Sequence, residues 1–539
     1  MNAISYQTRL DNLYATLPSR LRADLSIYGT HESQVTGIVQ DSQHVKPGNI
    51  FVARTGSTRD GHQYIHDAIK RGASVVIGEK SFTDLPVPYI QTSDASLALA
   101  YLAAAFYRFP ARKLVLIGVT GTDGKTTTCH LIFNILKAAD YRTGMITTVN
   151  AIIGKNVIDT GLHVTTPDAI DVQRYLAEMV EQNCTHAVLE VTSHGLDQHR
   201  VTGCDFDLAV ITNITHEHLD YHGSYESYRE AKSRLLSLMI EAGPKEFQLK
   251  PSAVLNRDDI SYEFLSSFME SSTEKLQKTV NLITYGVNAS ADIRGKSIKL
   301  KADGLEFEAS SLSKRIKIKS ELLGQYNVSN IMAAVATTSL GLGVEPDAIE
   351  EGVALTRAIP GRMELVDMGQ DFTAIVDFAH TPNALKSSLE SARQMLEWKA
   401  ERGRLIAIFG SAGLRDREKR RMMAEISVQI ADVSIFTAED PRTESLGDIL
   451  EEMKMGAEAG KGVEYKSFWC IPDRREALRC GINMAKRGDV VIALGKGHEQ
   501  SMCFGEAEYA WDDRIAMKAT LAERLRVEGP QMPFLPDWD

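Results

Sequence analysis

The segment GVTGTDGKT, from Gly118 to Thr126, has the residue types needed to hold a polyphosphate. It lies between an apolar run and an amphipathic run, and a glycine-rich turn between a strand and a helix points backbone N–H groups at an anion. The Lys125 ammonium would neutralise the β- and γ-phosphates, and the Thr126 hydroxyl would hold Mg²⁺. The spacing is not that of the common phosphate loop, because the expected first glycine falls on Val119. The segment predicts a site for a nucleoside triphosphate.

The elements that must position this loop alternate along most of the chain. Residues 1–110 contain short strand-like and helical runs, which predict a small N-terminal α/β domain. Residues 111–357 contain the loop and alternating strands and helices, and end with GVEPDAIEEGVA, which we interpret as a connector. Residues 358–539 alternate in the same way. Such alternation predicts mostly parallel, doubly wound sheets, so we expect an α/β protein with a central phosphate-loop ATPase domain and a Rossmann-like C-terminal domain.

Composition excludes several classes of protein. The 539 residues carry a net charge of −11, which disfavours a general nucleic-acid surface. No apolar run approaches the roughly 20 residues that span a bilayer, and the start MNAISYQTRLDNL lacks a signal-peptide pattern. The six cysteines form no CxxC pair, so we expect reduced thiols. We expect a cytoplasmic monomer with no nucleic-acid or membrane partner.

Several longer motifs follow the loop in a fixed order. They are TTPDAIDVQ, EVTSHGLDQHRV, NITHEHLDYHG, YREAKSRLL, GQYNVSN, PGRMELV, VDFAHTPNAL, EDPRTE and GKGHE. In order and spacing they resemble the Mur ligases over nearly the whole chain, and among these the branch that adds a diamino acid to UDP-N-acetylmuramoyl-L-alanyl-D-glutamate (UDP-MurNAc-dipeptide) in peptidoglycan synthesis. The resemblance implies an ATP- and Mg²⁺-dependent ligase that activates a carboxylate as an acyl phosphate and captures it with an amine.

The resemblance also implies a catalytic and metal-binding set. Glu190 and His218 match second-metal ligands, and their oxygen and nitrogen donors suit Mg²⁺. Lys232 matches a lysine that the family carbamylates, which would turn an ammonium into a carboxylate-like metal ligand. Together with Lys125, these three are the expected catalytic residues, and Thr126 completes the metal set. The alternative for each is a structural role in the core or on a solvated helix face.

The remaining implied contacts fall into three groups. The expected ATP site comprises Gly121, Thr122, Asp123, Gly124, Lys125, Thr126, Thr127, Asn330, Arg362, Asp377 and His380. The expected UDP-MurNAc-dipeptide site comprises Ser42, Thr165, Thr166, Thr192, Gln198 and Arg200. The expected amino-acid site comprises Arg415, Glu439, Asp440, Arg442, Gly495 and Glu499. Asp123 stands where Asn is usual, Gln43 where Arg is common, and Glu439-Asp440 where the family commonly has Asp-Asn.

The identity of the diamino acid stays open at this point. Arg442 and Arg415 could bind the distal carboxylate of meso-diaminopimelate. If Asp440 pairs with Arg442 instead, the guanidinium is occupied and the pocket suits lysine or ornithine, which carry only an ammonium there.

Two other readings of the whole chain compete. One is another ligase of the superfamily, such as a folate poly-γ-glutamate ligase, against which the QHRV and TTP motifs argue. The other is a degenerate ligase kept as a scaffold, which would have no chemical need for Lys125, Thr126, Glu190, His218 and Lys232 together.

Overall fold

The computed structural model describes residues 6–30, 32–56, 60–82, 84–158, 166–215, 219–301, 303–312, 314–397 and 403–536. His218 and Thr165 of the expected site lie outside the described residues. Within the described ranges, no helix is both long and apolar enough to cross a bilayer.

The first unit is a five-stranded sheet in the order β2-β7-β6-β5-β4, with only β2 antiparallel to its neighbour. The Lys46-Pro47-Gly48 turn lies between two parallel strands of this sheet, β4 and β5. The elements of this unit are β1 (Thr8–Arg9), α1 (Leu10–Thr16), α2 (Ser19–Asp24), β2 (Ser26–Tyr28), β3 (Gln34–Val35), β4 (Gly37–Val39), β5 (Asn49–Val52), α3 (Ile65–Lys70), β6 (Val75–Gly78), β7 (Tyr89–Gln91) and α4 (Ala95–Phe106).

The middle unit is an eleven-stranded sheet in the order β11-β10-β9-β12-β8-β13-β14-β15-β16-β17-β18. Its elements are β8 (Val115–Thr120), α5 (Lys125–Ala138), β9 (Thr143–Ile146), β10 (Ala151–Ile153), β11 (Asn156–Ile158), α6 (Ala169–Glu181), β12 (His186–Glu190), α7 (Ser193–Asp197), β13 (Leu208–Ile211), α8 (Leu219–His222), α9 (Tyr225–Glu241), β14 (Ser252–Asn256), α10 (Tyr262–Leu276), β15 (Asn281–Gly286), β16 (Ile293–Lys301), β17 (Gly304–Ser310), β18 (Arg315–Ser320), α11 (Tyr326–Val335) and α12 (Pro346–Leu355). The seven strands in the centre of the sheet pair in parallel, in the order β9-β12-β8-β13-β14-β15-β16. Strands β10 and β11 extend one end and β17 and β18 the other, all in antiparallel fashion.

Helices cover both faces of this sheet, which explains its continuous apolar strands. Ile117 and Val119 of β8 pack in one core with residues of α5, α11 and α12. Leu116 points to the opposite core, which α6 and α9 close. Burial on both faces fixes the register of β8, so the loop that follows it leaves the sheet at its carboxyl edge.

The third unit is a six-stranded sheet in the order β19-β20-β24-β21-β22-β23, parallel except for β19. Its elements are β19 (Glu364–Val366), β20 (Thr373–Asp377), α13 (Pro382–Glu397), β21 (Leu405–Phe409), α14 (Glu418–Ile430), β22 (Val433–Phe436), α15 (Leu446–Ala459), β23 (Phe468–Cys470), α16 (Arg474–Met484), β24 (Val490–Leu494), β25 (Ser501–Phe504), β26 (Ala507–Ala510) and α17 (Asp513–Leu525). The expected α/β class with mostly parallel sheets is confirmed.

One local expectation is wrong. GVEPDAIEEGVA is not a connector, because residues Pro346–Leu355 form α12. Pro346 occupies the first turn, where its missing N–H costs nothing, and Ile349 and Val353, four residues apart, are buried. Gly352 lies so close to α5 that an added Cβ would be 2.3 Å from the Ile135 Cα.

Candidate active site

The loop between β8 and α5 has the conformation of an anion cradle. Gly124 has φ +81° and precedes the helix, and an added Cβ would lie 2.1 Å from the Asn330 Oδ1, so only glycine fits there. The Lys125 Nζ donates to the carbonyl oxygens of Gly121 at 3.0 Å and Thr122 at 2.7 Å. The ammonium is therefore held over the loop beside the helix N-terminus, where it adds to the positive end of the helix dipole.

Thr126, in the first turn of α5, and Glu190, at the end of β12, bring two oxygen-bearing side chains together. The buried Glu190 accepts from the Thr126 hydroxyl, with 3.0 Å between Oγ1 and Oε1, and from the Thr148 N–H, with 3.0 Å to Oε2. A hydroxyl and a carboxylate facing one cavity are ligands that Mg²⁺ prefers, so the described donor set fits that ion.

Lys232 lies behind the phosphate loop on α9. Its side chain is only 1% exposed, and Nζ donates to the Gly121 carbonyl oxygen at 2.6 Å. The same Nζ lies 4.6 Å from the centroid of the Tyr228 ring. Carbamylation of Lys232 stays a prediction.

A cavity of about 680 Å³ opens above the loop and is closed on its other side by the third unit. The expected ATP residues that line it are Thr122, Asp123, Gly124, Lys125, Thr126, Thr127, Asn330, Arg362, Asp377 and His380. Arg362 crosses from the third unit, and its Nη2 donates to the Thr126 Oγ1 at 3.2 Å. The cavity therefore combines groups from both sheets around the phosphate loop.

The carboxylate of Asp377 is already engaged within the third unit. It accepts from the Met363 N–H at 2.7 Å, from the Ala379 N–H at 3.0 Å and from the Ser388 hydroxyl at 2.8 Å. These bonds join the Arg362 segment to the end of β20. Asp377 thus shapes the cavity wall as well as lining it.

Phe378, which the sequence analysis did not single out, supports the arginine. The Arg362 guanidinium carbon lies 4.3 Å from the centroid of the Phe378 ring, and the rings of His380 and His498 lie at 4.5 and 4.9 Å. Burial holds the pKa of His498 well below its usual value, so its imidazole is neutral. The motifs PGRM, VDFAHTP and GKGHE therefore meet at one aromatic ring.

A second cavity, also of about 680 Å³, lies between the first and middle units. Ser42 lines it at the start of the turn after β4, and Gln198 and Tyr221 line it from the middle unit. The Gln198 Oε1 accepts from the Arg200 Nη2 at 2.8 Å, and the Arg200 Nη1 donates to the Thr166 carbonyl oxygen at 2.8 Å.

Thr166 and Thr192 join this region to Glu190 at the end of β12. Their hydroxyl oxygens are 3.1 Å apart, and the Thr166 Oγ1 also lies 3.2 Å from the Glu190 carbonyl oxygen. The described residues expected to contact the sugar-peptide therefore form a continuous path from the second cavity to the first.

The expected amino-acid residues cluster at the carboxyl edge of the third sheet. Asp440 accepts from the buried Lys496 Nζ at 3.0 Å on both oxygens and from the Cys503 N–H at 2.9 Å. The same Lys496 contacts Glu499 at 2.5 Å. In the part of the chain that the structure describes, Arg442 forms no ion pair with Asp440, because the carboxylate pairs with Lys496. The pairing that would have favoured lysine or ornithine is therefore absent there.

Glu439 is a buried carboxyl beside this ion pair. It packs so closely on Gly495 that an added Cβ would lie 2.1 Å from the Glu439 Oε2, and the φ of +104° at Gly495 also requires glycine. Burial raises the pKa of Glu439 to about 7, although nearby cations, among them Lys419 and Arg474, oppose the shift. The group therefore titrates near neutral pH.

Arg415 lies in an exposed loop that packs against the EDPR segment. The Gly413 N–H donates to the Asp440 carbonyl oxygen at 3.0 Å, and the Leu414 N–H donates to Glu444 at 2.8 Å. The loop Ser411-Ala412-Gly413-Leu414 thus leaves Arg415 on the same edge of the sheet as the other residues of the expected pocket.

Sequence reasoning missed several residues of these sites. Lys496 and Phe378 stand inside the quoted motifs GKGHE and VDFAHTP, so their place in these motifs could have identified them as site residues. Tyr326, which lines the first cavity, likewise stands inside the motif GQYNVSN, whereas Arg54, which lines the second cavity, lies in none of the quoted motifs.

Comparisons with known proteins agree with this architecture. Family models described as Mur ligase family catalytic domain, Mur ligase middle domain, and Mur ligase glutamate ligase domain match residues 34–107, 119–338 and 361–497. A UDP-N-acetylmuramyl-tripeptide synthetase of Roseiflexus sp. is 40% identical over 499 residues, covering 91% of this chain and 95% of the relative. A UDP-N-acetylmuramoyl-L-alanyl-D-glutamate–2,6-diaminopimelate ligase of Geobacillus thermodenitrificans is 39% identical over 491 residues, with the same coverage. A solved structure of a ligase with that same description superposes with a TM-score of 0.64 at 28% identity, covering 96% of this chain and 99% of the other.

Proposed function

The chain belongs to the Mur ligase family, and from this we propose that it joins a diamino acid to UDP-MurNAc-dipeptide in the synthesis of a peptidoglycan precursor. It is an ATP- and Mg²⁺-dependent ligase. The observation that carries the proposal is the first cavity, in which the phosphate loop, the Thr126–Glu190 oxygen pair and the Arg362 cation face one space.

The reaction has two steps. The γ-phosphate of ATP is transferred to the D-glutamyl side-chain carboxylate, which gives an acyl phosphate and ADP. The amine of the diamino acid then attacks the acyl carbon, and the amide forms with release of inorganic phosphate and a proton. The acyl phosphate is needed because a free carboxylate has no leaving group.

Residues of this chain would supply the charge that such a transfer requires. Lys125 and the N–H groups at the start of α5 stabilise negative charge on the phosphates, and Arg362 adds a cation from the third unit. Thr126, Glu190, His218 and carbamylated Lys232 would hold Mg²⁺, which when bound neutralises further phosphate charge. Asn330, Asp377 and His380 would contact the rest of ATP.

The three sheets support a proposal of three domains, each of which binds a different substrate. We assign uridine-nucleotide binding to residues 1–110, ATP binding to residues 111–357 and binding of the incoming amino acid to residues 358–539. Ser42, Thr165, Thr166, Thr192, Gln198 and Arg200 would bind the sugar-peptide. A cytoplasmic monomer without a nucleic-acid or membrane partner would suffice for these small substrates.

We assign meso-diaminopimelate as the incoming amino acid, bound by Arg415, Glu439, Asp440, Arg442, Gly495 and Glu499. The Lys496 ammonium neutralises Asp440, which leaves the Arg442 guanidinium available to the distal carboxylate. A relative 39% identical to this chain is named as a 2,6-diaminopimelate ligase, which supports the same choice.

Phosphate release tests the proposal. Purified protein with ATP and Mg²⁺ should release phosphate only when UDP-MurNAc-dipeptide and a diamino acid are both present, and mass spectrometry should detect the tripeptide product. UDP-MurNAc-L-alanine, which lacks the glutamyl carboxylate, is the matched control. An absence of product with diaminopimelate, lysine and ornithine would refute the assignment and favour the scaffold alternative.

A further inference from the structure

The second cavity has one charged residue of each sign on its described wall. Among its lining residues that the structure describes, Arg54 is the only cation and Asp41 the only anion. Gln43 and Ser42 on the same wall are neutral, and Phe51 contributes an apolar surface. Arg54 lies two residues after β5 and follows the buried Ala53, so buried backbone fixes where its side chain starts.

The hydrogen-bond partners of Arg54 in the described residues carry no charge. Nη1 donates to the Ser96 hydroxyl at 3.5 Å, and Nη2 donates to the amide oxygen of Gln40, so both acceptors are neutral. Within the described residues no carboxylate forms an ion pair with Arg54. Burial lowers the pKa of Arg54, because taking a guanidinium out of water is costly, and the more distant carboxylates of Asp168, Glu79 and Asp94 oppose this shift.

The Asp168 carboxylate, which acts on Arg54 at longer range, has closer contacts of its own. The Gln40 amide nitrogen donates to Asp168, and Asp168 lies 3.6 Å from the Arg200 Nε. Gln40 thus stands between the Arg54 guanidinium and this carboxylate. The arrangement holds Arg54 in place while leaving its charge available to the cavity.

We propose that Arg54 binds the diphosphate of the uridine-nucleotide substrate in the second cavity. The proposal rests on the proposed function, which supplies a nucleotide diphosphate as the ligand of this cavity. A planar guanidinium matches two phosphate oxygens at once, and a partly desolvated site strengthens the attraction. The cavity volume of about 680 Å³ is within the range of small-molecule sites.

Calorimetry with UDP and with uridine isolates the diphosphate contribution. The wild-type protein should bind UDP more tightly than uridine. Arg54→Gln should lower UDP affinity roughly ten- to hundredfold, as expected for hydrogen bonds to a charged group, while uridine affinity stays unchanged. Arg71→Gln is the matched control, because Arg71 is an exposed arginine on the same unit, paired with Asp67.

The outcomes separate this proposal from the proposed function. If Arg54→Gln keeps the wild-type ratio of UDP to uridine affinity, Arg54 is not the diphosphate ligand, and the ligase assignment stands. If the wild-type protein does not bind UDP at all, both fail. If Arg54→Gln does not fold, Arg54→Lys replaces it: a cation without the planar fork should lower the ratio in part, and an unchanged ratio contradicts a bidentate contact.

Discussion

Arg362 and Thr126 are separated by 236 residues, yet the Arg362 Nη2 donates to the Thr126 Oγ1 at 3.2 Å. Thr126 lies in the first turn of α5, directly after the phosphate loop, and Arg362 lies two residues before β19 of the third unit. The hydrogen bond therefore joins the part of the protein that would hold ATP to the part that would bring the amino acid. Closure of the third unit on the phosphate loop would complete the charge around the reacting phosphate and exclude water.

Replacement of Lys125 tests the phosphate loop. Lys125→Ala should lower the rate of phosphate release roughly 10³-fold, because one preorganised charge at the transferring phosphoryl group is lost. Steady-state kinetics with both substrates present measures this. Lys137→Ala, at an exposed position on the same helix, should keep the wild-type rate. Near-normal turnover in Lys125→Ala would show that the loop does not bind the triphosphate.

Lys232 provides a test of the carbamate. An unmodified ammonium beside Mg²⁺ would be repelled, whereas a carbamate supplies an oxygen ligand. Lys232→Ala should be nearly inactive, and short-chain carboxylates such as formate should restore part of the activity. A fully active Lys232→Ala enzyme would remove Lys232 from the metal site.

Phe378→Leu should weaken the hold on Arg362. Loss of the ring face that supports the guanidinium should lower kcat/KM for ATP about tenfold, the effect of a partly desolvated cation–π contact. Phe378→Tyr keeps the ring and should retain the wild-type value. If Phe378→Leu has wild-type kinetics while Arg362→Lys does not, the ring does not position the arginine.

Arg442 should determine the preference for the distal carboxylate. Arg442→Ala should lower kcat/KM for meso-diaminopimelate roughly ten- to hundredfold, because charged hydrogen bonds to that carboxylate are lost. The value for lysine should change little. Arg421→Ala, at an exposed position of α14, is the control. An equal decrease in kcat/KM for the two amino acids would show that Arg442 does not bind the distal carboxylate.

The titration of Glu439 should make stability depend on pH. Its folded pKa of about 7 lies above the ordinary value of 4.5, so between these values the folded state binds a proton that the unfolded state has lost. This group therefore makes the protein less stable as pH rises from 4.5 to 7, by up to about 3 kcal/mol. The unfolding midpoint of Glu439→Gln minus that of the wild-type protein should increase from pH 5 to pH 8. A difference that does not depend on pH would contradict the titration of a buried carboxyl.

Much of the site could be predicted because its residues are close together in the sequence. The phosphate loop is local: strand, glycine turn, lysine and helix follow one another, and the φ of +81° at Gly124 favours glycine within that turn. The α/β class likewise follows from the alternation of apolar strands and amphipathic helices. The prediction of a connector at Pro346 was wrong because a short helix with two buried apolar residues has a weak hydrophobic periodicity.

What the sequence alone determined were the residue types and the local turns that could bind a nucleotide, together with the order of the motifs. Only the tertiary structure decided which charges meet. Asp440 pairs with Lys496 instead of Arg442, and no carboxylate among the described residues forms an ion pair with Arg54, because the packing of strands and loops distant in the sequence sets which side chains share a buried volume. The energy of a charge depends on that neighbourhood and on its distance from water, and neither can be read from spacing along the chain.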